Sequence, residues 1–176
     1  ISTDSRNVKK GDIFFALKGE NFDGNQYALQ SLQNGAVLAV ADDQRLPDHP
    51  ALFKVLDVLD TLQRLANLHR KQFSIPIIAI TGSNGKTTTK ELIAAVLNAH
   101  YPTHFTKGNL NNHIGVPLTL LAMPLNTEIA VIEMGANHQG EINDLCHIAE
   151  PTHGLITNIG KAHLKGFGGV EGVKMG

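Results

Sequence analysis

The stretch Ile77–Leu92, IIAITGSNGKTTTKEL, constrains this chain more than any other. An apolar run, Ile77-Ile78-Ala79-Ile80, leads into the polar turn Thr81-Gly82-Ser83-Asn84-Gly85. Lys86-Thr87-Thr88-Thr89 then opens a helix-like pattern. A strand, a glycine turn, Lys-Thr and a helix together form a holder for a nucleoside triphosphate. Gly82 and Gly85 let the backbone approach the phosphates and aim its N–H groups at them. The helix beginning near Lys86 adds unpaired amides and the positive end of its dipole. Lys86 is expected to reach the β- and γ-phosphates, and Thr87 to place a hydroxyl on Mg²⁺. Ser83, Asn84 and Thr88 complete the expected nucleotide cradle. The common loop reads G-x-x-x-x-G-K-[ST]. Here Ile80 stands where the first glycine would, giving the variant T-G-x-x-G-K-T. A plain glycine turn is the competing reading, but Gly-Lys-Thr at helix entry after an apolar strand argues against it.

The remaining composition narrows the setting. The chain has 176 residues and a formal net charge of −1, so charge gives no argument for nucleic acid or an anionic membrane as partner. No apolar run approaches the roughly 20 residues that span a bilayer. The single cysteine, Cys146, excludes an internal disulfide and is a weak sign of a reducing compartment. The chain opens at Ile1 without Met and closes at Gly176 in a glycine-rich stretch, and reads as a piece of a longer protein.

Before the loop, Ile13–Leu17, Val37–Ala41 and Leu52–Leu56 read as strands, and Gln26–Asn34 as a short helix ended by Gly35. Asp4-Ser5-Arg6 and Asp23-Gly24 form turns whose polar groups could meet a ligand. From Asp57 the period becomes helical, with Leu59, Leu62, Leu65, Ala66 and His69 on one side. Arg64, Arg70 and Lys71 are expected on the outer side. Pro76 punctuates the chain, and a domain boundary is placed at 74/75. After the loop, strands and helices alternate, which argues for a parallel sheet with helical crossovers. Leu92, Ile93, Val96 and Leu97 give the first helix an apolar stripe. Ile129–Ile132 reads as a buried strand with Glu133 at its carboxyl end. Gly140–Ala149 reads as a helix with Ile142, Leu145 and Ile148 inward and Cys146 near them. Gly154–Ile159 reads as a further strand, with Asn158 at its carboxyl end and His163 beyond it. Ligands of open parallel sheets bind beyond the strands' carboxyl ends. Lys86, Thr87, Glu133, Asn158 and His163 all follow apolar strands at one such edge. An acid there is where Mg²⁺ of a nucleotide is held. Lys86, Glu133 and His163 are therefore the candidate catalytic residues. His138 lacks this support and is expected to be structural or to back up a ligand.

With these residues in view, the chain resembles the Mur ligases, ATP-dependent amide-forming enzymes of bacterial cell-wall synthesis. TDSR with GDIFFALKGENFDG resembles their N-terminal UDP-binding domain. TGSNGKTTTKE, GNLNNHIGVPLTLL, EMGANHQGEI and TNIGKAHLKGFG resemble the branch that adds D-alanyl-D-alanine. The resemblance implies an α/β fold: a small N-terminal α/β substrate domain over 1–74, then a P-loop, mostly parallel-sheet ATPase domain over 75–176 that is incomplete. It implies that ATP phosphorylates the carboxylate of a UDP-N-acetylmuramoyl tripeptide and that the D-alanyl-D-alanine amine attacks the acyl phosphate. It implies two Mg²⁺ ions, one on Thr87 and Glu133 and one on Glu133 and His163. A carbamylated lysine is expected just beyond Gly176, with Lys174 preceding the modified position. Ser5, Arg6, Lys18, Asp23 and Gly24 are expected on the UDP-sugar side, and Asn111, Asn112 and Asn158 also on substrate. The chain is taken as a monomer without nucleic-acid or membrane partners. Two alternatives stay open. One is the preceding ligase, which adds lysine or diaminopimelate but usually has a threonine after the first loop glycine and Thr-Thr-Pro where this chain has Asn111-Asn112. The other is a non-catalytic nucleotide-binding module.

Overall fold

The computed structural model describes residues 1–160 and 163–175. The chain divides into two compact units, 1–62 and 63–176. In the first, β1 (Ile13–Phe15), β4 (Leu38–Ala41) and β5 (Leu52–Lys54) form a parallel sheet in the order β1-β4-β5. Its register pairs Phe14 with Ala39 and Val40 with Phe53. Between β1 and β4 lie a small antiparallel hairpin, β2 (Lys18–Gly19) with β3 (Phe22–Asp23), and helix α1 (Ala28–Gln33). Phe14, Ala16, Ala28, Ala39, Ala41 and Leu52 make the core. Most of these are alanines, so α1 lies close to the sheet and a larger residue at any of them would overfill it.

Helix α2 (Val58–Arg70) runs across the division. Its buried positions are Val58, Leu62, Ala66 and Arg70, a strict i,i+4 row. Arg70 is thus inward, correcting the expectation of an outer face. Its guanidinium donates to the carbonyls of Phe73, Ala149 and Glu150 at 2.8–2.9 Å. Three carbonyls satisfy the buried cation, two of them at the end of a helix whose dipole favours positive charge. Arg64 is exposed and Lys71 pairs with Glu150, as the helical period expects.

The second unit holds a four-stranded parallel sheet, β7 (Thr103–Phe105), β8 (Ile129–Glu133), β6 (Ile77–Thr81) and β9 (His153–Ile156), in the order β7-β8-β6-β9. Helices α3 (Lys86–Asn98), α4 (Gly115–Leu121) and α5 (Glu141–Ala149) supply the crossovers. From β6 the chain goes out to β7, returns to β8, and then crosses to β9 on the other side of β6. The carboxyl end of β6 is therefore the switch point at which parallel sheets bind ligands. Strand alternation sorts the side chains. Ile77, Ala79, Ala130 and Ile132 face the core shared with Ala66, Val116, Leu120, Leu145 and Ile148. Ile80, Val131 and Glu133 consequently point to the opposite face, toward α3, with Ile80 paired in register with Glu133. Cys146 packs against that core, 3.9 Å from the Met134 sulfur, and burial pushes its thiol pKa up.

One further difference from the sequence reading matters. Leu92 and Val96 of α3 are exposed, while Lys90 and Ala94 are buried. The GNLNN segment leads into α4, and the Asn112 carboxamide oxygen accepts from the Ile114 and Gly115 amides where that helix begins. Short helices α6 (Leu164–Phe167) and α7 (Val170–Met175) close the described chain. Among the described residues, no helix is long and apolar enough to cross a membrane.

Candidate nucleotide and metal site

The loop between β6 and α3 is shaped by its glycines. Gly82 has φ 130°, and a Cβ there would meet the Thr157 hydroxyl at 2.3 Å. Gly85 has φ 79° and forms the start of α3 with no side chain capping it. The first-turn amides of a thirteen-residue helix are thus left for a ligand. The segment after β9 holds the loop from behind. Asn158 accepts from the Asn84 amide at 3.2 Å and donates to its carbonyl at 2.9 Å, while Thr157 donates to the same carbonyl at 2.6 Å. The Ser83 amide donates to the Asn158 carbonyl, and the Ser83 hydroxyl accepts from the Gly160 amide. These are the contacts of a preorganised loop. Thr157 escaped the sequence reading because nothing in a strand-end threonine signals what it will bond.

Lys86 turns over this loop and donates to the Gly82 carbonyl at 2.7 Å. It lines a cavity of about 150 Å³ with Gly82, Ser83, Asn158, His163 and Phe167. His163 has φ 50°, and its carbonyl accepts from the Gly166 and Phe167 amides. Thr88 lies exposed in the first turn of α3. Lys161 lies outside the described residues, and Lys174 falls in α7.

Glu133 is 1% exposed at the end of β8. Its amide donates to the Thr106 hydroxyl at 2.9 Å. Its Oε1 accepts from the Asn111 carboxamide at 2.8 Å and from the Thr87 hydroxyl at 3.2 Å, while its Oε2 has no hydrogen-bond donor. The Thr87 hydroxyl and the Glu133 Oε1 side by side suit a hard oxygen-seeking cation such as Mg²⁺. Among the described residues no cluster of three or more His, Cys, Asp or Glu side chains gathers into a complete metal cage. Mg²⁺ usually takes its remaining ligands from water and phosphate, so the Thr87–Glu133 pair fits it.

Asn112, with Gln63, His113, Asn137, Asp144 and His147, lines a second cavity of about 420 Å³. His138 precedes α5 and its ring lies 3.2 Å from the carboxylate of Glu141, which also accepts from the Asn137 and His138 amides. In the first unit, Ser5, Arg6 and Gly24 line a cavity of about 430 Å³ with Phe22 and Tyr27. Phe22 and Tyr27 are largely exposed there, two aromatic faces that the sequence reading passed over. Arg6 is forked onto Asp4 at 2.8–2.9 Å, and those bonds hold the Asp4 carboxyl down at about pKa 2. Lys18 and Asp23 lie in another network. Lys18 pairs with Asp42 at 2.7 Å, and Asp23 and Asp42 both accept from the buried Asn25 carboxamide.

Residues 80–175 match the family profile described as Mur ligase middle domain, and residues 1–73 match that described as Mur ligase family, catalytic domain. The chain belongs to the Mur ligase family. Relatives include the UDP-N-acetylmuramoyl-tripeptide–D-alanyl-D-alanine ligases of Bacillus subtilis and Escherichia coli, at 47% and 43% identity over 98% of this chain. The chain spans 38% of the length of each. Among solved structures, MurF from Acinetobacter baumannii superposes with a TM-score of 0.92 at 43% identity, covering 98% of this chain and 38% of that one. MurF from Thermotoga maritima in complex with ADP gives 0.90 at 38% identity, covering 98% of this chain and 40% of that one. A UDP-N-acetylmuramoyl-L-alanyl-D-glutamate–2,6-diaminopimelate ligase structure shares the fold, at a TM-score of 0.58 and 21% identity, covering 93% of this chain and 37% of that one.

Proposed function

We propose that this chain is the UDP-sugar-binding and phosphate-donating part of an ATP-dependent, ADP-forming ligase. That enzyme adds D-alanyl-D-alanine to UDP-N-acetylmuramoyl tripeptide in peptidoglycan synthesis. One observation carries the reading: the loop of Lys86 and the Thr87–Glu133 pair converge at the switch point of β6, in a chain close to MurF proteins over almost its whole length. The weaker match to the diaminopimelate ligase favours the D-alanyl-D-alanine branch over the preceding step.

The chemistry follows from charge. An anionic carboxylate must approach an anionic γ-phosphate, and the transition state spreads further charge over phosphoryl oxygens. The open amides at the start of α3 and the Lys86 ammonium supply fixed positive potential there. Ser83, Asn84 and Thr88 belong to the same phosphate cradle. Thr87 and Glu133 are the residues that would hold Mg²⁺, which when bound would supply Lewis acidity and offset phosphate charge. His163 is the residue of this chain that would hold a second Mg²⁺, beside a carbamylated lysine past Gly176. Asn158 keeps the loop in shape, and Asn111 keeps Glu133 in place, so both serve the substrates through other groups. The first unit offers Ser5, Arg6 and Gly24, with Phe22 and Tyr27, as the surface for the UDP-sugar, an aromatic base with a diphosphate. Functionally the division runs 1–74 for the UDP-sugar and 75–176 for ATP. The enzyme works in the bacterial cytoplasm as a monomer.

The test uses full-length protein with ATP, Mg²⁺ and UDP-N-acetylmuramoyl tripeptide, following phosphate release. Release that depends on added D-alanyl-D-alanine is the expected result. Release that depends on a free diamino acid, or on no amine at all, would overturn the assignment.

A further inference from the structure

Lys90 has no part in the reading above, and its setting is unusual. It lies one helical turn after Lys86 on α3, at the position that faces the sheet, where an apolar residue is expected. It is the only fully buried lysine among the described residues, at 0% exposure. Taking an ammonium out of water costs several kcal/mol unless a counter-charge meets it. Its Nζ lies 2.9 Å from Glu91 Oε1 and 3.7 Å from Glu133 Oε2, with hydrogen-bond geometry to neither. The same Glu133 Oε2 is the buried acceptor left without a donor. So the two buried side-chain atoms without a hydrogen bond among the described residues face each other across 3.7 Å, behind the Thr87–Glu133 pair.

We propose that Lys90 is a positioning residue for Glu133. Asn111 and Thr87 hold Oε1 while the Lys90 ammonium draws Oε2 to the interior, so the carboxylate keeps one orientation at the end of β8. Glu91, at 2.9 Å, offsets the field of Lys90 at longer range, which limits repulsion of a cation beyond Oε1. The short-range hold on Oε2 then dominates. Groups that orient a metal ligand from behind typically change metal affinity by about 10–100-fold when removed. The inference rests on the Thr87–Glu133 metal reading and not on the identity of the amine acceptor.

The experiment measures Mn²⁺ binding by paramagnetic resonance in full-length protein with ADP and no other substrate. Failure of the amide-forming assignment therefore leaves its result standing. Lys90→Met keeps the side-chain length and removes the charge. It is expected to fold, since exchanging a buried ion pair for apolar packing is often neutral or better, although here Glu133 keeps only its Oε1 partners. Its Mn²⁺ affinity is expected to fall about tenfold, with ADP affinity in the absence of metal unchanged. Lys90→Arg is expected to recover affinity to within about threefold, because the charge is what positions Oε2. Unchanged or tighter Mn²⁺ binding in Lys90→Met would overturn the proposal, as would equal losses in Met and Arg variants. If Lys90→Met does not fold, Lys90→Gln is read in the same titration against the same limits. Failure of both neutral variants to fold, with Lys90→Arg folded, would assign Lys90 to the fold alone and overturn the positioning role.

Discussion

Replacing Lys86 with alanine is expected to lower phosphate release by about three orders of magnitude, the scale of losing one preorganised charge at a reacting centre. Its ammonium is held over the loop at 2.7 Å from the Gly82 carbonyl and opens onto the same cavity as Ser83 and Asn158. The fold should scarcely notice, because one partly exposed hydrogen bond is worth about 1 kcal/mol. Binding of the UDP-N-acetylmuramoyl tripeptide, measured by calorimetry without ATP, should stay within about twofold, since the residues assigned to it lie in the first unit and make none of the Lys86 contacts. An equal collapse of binding and turnover would contradict the functional division at 74/75.

Glu133→Ala should do two kinds of damage. The Thr87 hydroxyl loses its carboxylate neighbour, so activity should become low and nearly unresponsive to Mg²⁺ across a titration. The interior also suffers. The Asn111 carboxamide loses its acceptor, and the buried Lys90 ammonium keeps only Glu91. Breaking a buried charge pair by removing one partner typically costs about 3–5 kcal/mol. A urea midpoint clearly below that of wild type, with an unchanged slope, is the expected companion result. The Lys90→Met/Glu133→Ala double variant should recover part of that stability, because it removes the uncompensated charge. Wild-type magnesium dependence in Glu133→Ala would dismiss the metal assignment.

Much of this was legible in the residues because it rested on strong local signals. The apolar run before Gly82, the glycines and Lys86 place a loop that needs no tertiary information to recognise. Glu133 was legible because four apolar residues before an acid mark a buried strand with its carboxylate at the edge. What sequence pattern missed lies where burial and charge run against rule. Arg70 reads as a surface cation, yet carbonyls at the end of α5 satisfy it inside. Lys90 is buried, while Leu92 and Val96, which look like core, are exposed. The stripe of α3 was misplaced because its sheet-facing side carries an alanine and a lysine in place of large apolar residues. The asparagines were legible as turn-makers and as site neighbours, but their partners were not. Asn111 on Glu133, Asn112 on the start of α4 and Asn158 on Asn84 are matters of hydrogen-bond geometry. Lys18 and Asp23 were legible as a charged turn, but their pairing with Asp42 and the buried Asn25 was not.

In the proposed reaction this loop passes phosphate to a carboxylate before an amide forms. The direct measurement labels the terminal carboxylate of the UDP-N-acetylmuramoyl tripeptide with heavy oxygen. Full-length protein turns it over with ATP, Mg²⁺ and D-alanyl-D-alanine, and the released phosphate is analysed by mass. Transfer of one labelled oxygen per phosphate is the predicted result, because the carboxylate oxygen leaves with the phosphoryl group when the amine displaces it. Phosphate carrying no label, alongside labelled amide product, would contradict it.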